Sequence, residues 1–108
     1  MSGILRAVTI VNALIYFGAA IYHSGVLVAA GALAPASIAE ALLGVVLMVA
    51  LVGWLSPRIA YAIVLAGTLF GLTIVILRGL LGVDLGIHVL MLAGLAVGFA
   101  LLFTRRTA

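Results

Sequence analysis

Ile59-Ala60-Tyr61-Ala62-Ile63-Val64-Leu65-Ala66-Gly67-Thr68-Leu69-Phe70-Gly71-Leu72-Thr73-Ile74-Val75-Ile76-Leu77 runs between Arg58 and Arg78 without one charged residue. A hydrocarbon core of about 30 Å needs roughly 20 apolar residues in a helical span, and this stretch has that length. Three more stretches are bounded in the same way. Ala7 to Ala39, Ala41 to Pro57 and Leu85 to Thr104 lack Asp, Glu, Lys and Arg, and across the 108 residues 69% are apolar and 6% charged. Soluble domains carry about 25% charged residues, so most of this apolar surface has to face lipid.

The expected fold is all-α, a bundle of four transmembrane helices forming one integral membrane domain over 1–108, with spans at about 4–29, 36–55, 58–78 and 85–104. Breaks support this division. Gly31-Ala32-Leu33-Ala34-Pro35 interrupts the first long run, Ser56-Pro57 separates the second and third spans, and Gly79 to Gly82 loosens the third from the fourth. Pro35 and Pro57 both suit the first turn of a following helix, where a missing N–H costs nothing. The first run exceeds the usual apolar core of a cleaved signal, so it is expected to be retained.

Arg6, Arg58 and the Arg105–Arg106 pair fall on one side of a four-span chain and Arg78 on the other. That bias places both termini in the cytoplasm of a bacterial-type inner or plasma membrane. The arginines are scattered and mark topology, so no nucleic-acid partner is expected. Cysteine is absent, which removes disulfides, thiolate chemistry and Cys-ligated metals.

The residues that carry chemistry are the polar ones inside the spans. At 100° per residue, Thr9, Asn12, Tyr16 and His23 form one stripe on the first helix, predicted to face the bundle interior. Asp84 and His88 are one turn apart on the fourth helix. From the arginine boundary, His23, His88 and Glu40 all reach heights of about 24–25 Å, a shared layer toward the outer leaflet with Asp84 just above. His23, Glu40, Asp84 and His88 are therefore the candidate ligands of a transition metal such as zinc, copper, iron or manganese, or of a small molecule. Asp84 could instead orient an imidazole. His23 and His88 could alternatively be the axial pair of a haem, with Arg78 near a propionate. A third use is proton handling in a small transporter, with Tyr16, Asn12 and Thr9 as the path inward. No nucleophile–base motif or phosphate loop accompanies the layer, so any enzyme activity would rest on it.

Gly67/Gly71 and Gly94/Gly98 are small-xxx-small pairs that let helix backbones approach closely. They serve either packing within the chain or a homo-oligomer, or docking as an accessory subunit of a larger membrane complex. Trp54 and Tyr61 are expected in the inner interfacial belt and Tyr22 in the outer one.

Ser56-Pro57-Arg58-Ile59-Ala60-Tyr61-Ala62-Ile63 resembles the start of the third span of the small multidrug resistance transporters. The Asp84-Leu85 turn and the Arg105-Arg106 end are similar too, so the likeness covers roughly the second half. That family carries proton and substrate on a glutamate in the middle of its first span, where this chain has Asn12 and Tyr16. It also has a tryptophan where this chain has Val64. The resemblance therefore implies no transport activity here.

Overall fold

A computed structural model describes residues 1–27 and 33–104. Among these the chain forms four helices and no strand: α1 (Gly3–Ser24), α2 (Ala34–Leu51), α3 (Pro57–Leu77) and α4 (Val83–Thr104). All four are long and apolar enough to cross a membrane, and a helix of 22 residues spans about 33 Å. The last residues of the expected first span, the Gly31-Ala32 break and Arg105–Arg106 lie outside the described residues.

Local chemistry sets the helix ends. The Ser2 hydroxyl caps α1 by accepting from the Leu5 N–H at 3.2 Å. Gly25, at φ 80°, stops α1 at Ser24, five residues before the expected end, because a left-handed C-terminal glycine turns the chain off the helix axis. Pro35 and Pro57 occupy the first turns of α2 and α3. Gly53, at φ 84°, lies just past the end of α2, and Arg6 Nη1 donates to the Leu51 carbonyl at 3.2 Å, placing a cation where the helix dipole favours one.

The helices are arranged as a square. α1 packs against α2 and α4, α3 packs against the same two, and the pairs α1/α3 and α2/α4 lie on diagonals. The bundle measures 45 × 23 × 17 Å. One end carries Arg6, Trp54 and Arg58, the last with its guanidinium 5.3 Å above the Phe103 ring near the end of α4. The opposite end carries Arg78, Asp84, His23 and Glu40. The outer shell is apolar: Val11, Leu14, Phe70, Leu77, Val89 and Val97 are all exposed, the surface a lipid-facing bundle presents.

Polar side chains fill the axis. Tyr61 of α3 is fully buried, and its hydroxyl meets Thr9 Oγ1 at 2.9 Å and accepts from Asn12 Nδ2 at 3.1 Å, both from α1. Asn12 also donates to the Gly94 carbonyl of α4 at 3.1 Å. One level further along, the Tyr16 and Thr68 hydroxyls are 2.5 Å apart. The stripe on α1 thus faces inward as its periodicity predicts. Tyr61 does not take the exposed belt position expected for it, because its hydroxyl finds two partners on α1, Thr9 and Asn12, inside the bundle. Trp54 is exposed, as an interfacial residue should be.

The glycine pairs face inward. A Cβ at Gly98 would run into the Tyr61 ring, one at Gly94 into the Asn12 amide, and one at Gly67 would stand 3.0 Å from Leu43. These glycines are spent on packing within the chain. Replacing Tyr61 by Phe deletes the hydroxyl shared by Thr9 and Asn12, and should lower unfolding stability in mixed micelles by about 1 kcal/mol. Gly98→Ala overfills the same layer and should cost about 1–3 kcal/mol, so the glycine variant is expected to be the less stable of the two.

Candidate functional site

Above the Tyr16–Thr68 level the bundle holds two buried imidazoles and two carboxylates. His23 is in the last turn of α1, Glu40 in the second turn of α2, and Asp84 and His88 are in the first turns of α4. His23 Nδ1 hydrogen-bonds with Glu40 Oε1 at 2.6 Å, and His23 Nε2 hydrogen-bonds with Asp84 Oδ1. One ring therefore bridges α2 and α4, which lie on opposite corners of the square. Tyr22 packs edge-on against the imidazole, its centroid 5.3 Å away. Leu33 N–H donates to the His23 carbonyl at 2.7 Å and Ser37 Oγ to the Ala20 carbonyl at 2.7 Å, so the start of α2 is tied to the end of α1 beside the ring.

The charge of this cluster follows from counting protons. Two hydrogen bonds between one imidazole and two carboxyl groups need at least two protons. Two protons can make an imidazolium between two carboxylates, or a neutral imidazole with one carboxylic acid and one carboxylate. Both arrangements carry a net charge of −1. Glu40 is 5% exposed, and its second oxygen, Oε2, is buried with no hydrogen-bond partner among the described residues. An unpaired buried acceptor costs about 1–3 kcal/mol, more when charged, and this one belongs to the anionic cluster.

His88 takes a different role from the other three. Its Nδ1–H donates to the Asp84 carbonyl one turn back at 2.8 Å, so it joins neither His23 nor Glu40 directly. That bond leaves Nε2 as the acceptor of the neutral ring. A Cβ at Gly71 would stand 2.8 Å from this nitrogen, and only glycine at 71 leaves room for the imidazole against α3.

His23, Glu40, Asp84 and His88 all border one cavity of about 240 Å³ whose wall comes from all four helices. Tyr16 and Thr68 form part of its polar lining, while Leu43, Phe70, Ile74 and Met91 supply apolar wall. Arg78 also borders it, exposed just past the end of α3. The four candidates from the sequence thus reach one place, although only three of them are directly joined. Among the described residues, no group of three or more His, Asp or Glu is arranged to hold a metal ion, and both nitrogens of His23 are already engaged. The apolar wall escaped the sequence reading because Phe70, Ile74 and Leu43 look like any lipid-facing residues. Gly71 carried a usable signal, one helical turn from Gly67.

Removing one partner of a buried charge network costs about 3–5 kcal/mol because the other charge is stranded. His23→Ala is accordingly expected to destabilise the bundle on that scale. The His23→Ala/Glu40→Gln double variant should recover part of the loss, read as thermal unfolding in detergent. No protein-family model, no curated protein and no solved structure matches the chain.

Proposed function

We propose that this chain is a small four-span membrane protein that binds a small organic molecule in the cavity beside His23, Glu40, Asp84 and His88. The observation that carries the reading is Glu40, which borders a cavity of about 240 Å³ and whose Oε2, packed beneath that wall, has no partner among the described residues. Binding sites join mostly apolar walls to a few placed polar groups, and unpaired buried acceptors are rare enough to need a reason. A ligand donor at Glu40 Oε2 supplies one.

A metal ion at His23, Glu40, Asp84 and His88 would use the same cavity, but His23 would first have to release a carboxylate. The haem alternative needs the same release before His23 could serve as an axial ligand with His88. The organic ligand asks for neither change. We place the His23 end of the bundle toward the outer face and both termini in the cytoplasm, on the arginine bias alone.

Protein purified under native conditions in nanodiscs should carry one organic molecule per chain by mass spectrometry, and the Glu40→Gln variant should have lost it. A stoichiometric metal in elemental analysis would replace the organic ligand with an ion. If neither is found and Glu40→Gln lowers the thermal transition, the cluster only holds helices in register. Orientation is tested on the cysteine-free background: Leu81→Cys in intact cells should react with an impermeant maleimide, whereas Ser56→Cys should react only after permeabilisation.

A further inference from the structure

The cavity reaches the lipid through its side. On α2, Gly44 meets Phe17 of α1, and about 100° around the same helix Leu43 meets Gly67 of α3. Ala36 and Ala39 lie on this second side and border the cavity. On α3, Phe70 and Ile74 flank the Gly67 face and border it as well. Phe70 is 70% and Ile74 36% exposed, and Ala39 is exposed too, so the cavity lining is continuous with the outer surface between α2 and α3. Phe70 lies eight residues before Arg78, about 12 Å deeper along the helix. With α3 spanning a bilayer, the Phe70 edge of the opening stands in hydrocarbon, while its Pro35 and Arg78 edge reaches the helix ends.

We propose that the ligand is a membrane-dissolved, single-chain amphiphile with a hydrogen-bond-donating head, a hydroxyl or an ammonium, that enters sideways between α2 and α3. This rests on the reading of the cavity as a ligand site. The mouth is lined by Ala36, Ala39, Leu43, Gly67, Phe70 and Ile74, none of which offers a side-chain hydrogen bond, so an alkyl chain lies there at no polar cost. The head is selected at the far end. Glu40 bonds His23 of α1 and shares the cavity lining with Tyr16 of α1, with Asp84 and His88 of α4, and with Arg78 past the end of α3. With two protons the His23, Glu40 and Asp84 group holds a net −1, and its unpaired acceptor is Glu40 Oε2, which a donor reaches by displacing the side chains packed over it. A hydroxyl or ammonium satisfies that oxygen, whereas a carboxylate head would bring a second negative charge to it. Arg78 is exposed at the rim, where water and salt screen its charge.

The test titrates octan-1-ol, octylamine and octanoate into the detergent-purified full chain by calorimetry. Saturable one-to-one binding is expected for the alcohol and the amine, with octanoate at least about tenfold weaker, a gap of about 1.4 kcal/mol. Ala39→Trp fills the mouth from an exposed position and leaves the His23 cluster untouched. It should weaken the two donor-headed probes about tenfold or more without moving the thermal transition. Equal binding of octanoate, unchanged binding to Ala39→Trp, or no saturable binding of either donor-headed probe would each overturn the amphiphile. If the native ligand recovered from the nanodiscs is chainless and water-soluble, side entry falls and the site stands. If all three probes bind Glu40→Gln as they bind the parent, the reading of the cavity itself falls.

Discussion

Hydrocarbon supplies no hydrogen bonds, so every polar group carried into this bundle has to be answered by another part of the same chain. The imidazole of His23 meets that demand on both ring nitrogens, and in doing so it fixes where α2 and α4 stand relative to the end of α1. Single hydrogen bonds between membrane helices average only about 0.6 kcal/mol. Register here depends on several shared centres rather than on one strong contact. Tyr61 serves Thr9 and Asn12, Asn12 serves Tyr61 and the Gly94 carbonyl, and His23 serves Glu40 and Asp84. Asn12 and His23 each join three helices and Tyr61 joins two, so none can be lost without freeing two other groups.

The sequence made some of this legible and hid the rest for physical reasons. Spans could be read because charged residues are expensive inside a bilayer and seven of them cut the chain at span length. The inward stripe of α1 could be read because polar residues on one helix face have a single tolerable direction. The shared layer of His23, Glu40 and His88 followed from counting rises along straight helices, and Asp84 came close enough to bond His23 directly. Tyr61 was misplaced because tyrosine suits both a headgroup belt and a buried polar axis, and composition does not choose between them. Its true place depends on Gly98 of α4 giving up volume, which is a fact about a different helix. The cavity is invisible for the same reason, being space between chains of atoms rather than a property of any residue.

The two halves of the bundle differ in how they are braced. Toward the Arg6 end the α1/α3 diagonal is crossed by Tyr61 and then by the Tyr16–Thr68 pair. Toward the Arg78 end the other diagonal is crossed by His23, and α3 is left out: beyond Thr68, the side-chain hydrogen bond of α3 among the described residues is that of Thr73 to the Leu69 carbonyl of its own helix. That half of α3 is held by packing against α2 and α4 alone. It is also a wall of the cavity, so the segment a ligand would displace is one that no side-chain hydrogen bond ties to another helix among the described residues.

Four antiparallel helices can be wound around a square in either of two mirror senses, and apolar patterning does not distinguish them. This chain carries its own chiral key in two glycine notches of different character. On one side of α1, Phe17 fills the notch at Gly44 of α2; on the other, the Asn12 amide fills the notch at Gly94 of α4 and finds a carbonyl there. Exchanging α2 and α4 would turn the aromatic ring toward the peptide acceptor and the amide toward α2, away from that acceptor. The winding sense is thus written in unlike locks on the two flanks of one helix, and a swap of Phe17 and Asn12 would erase it while leaving the composition of every span unchanged.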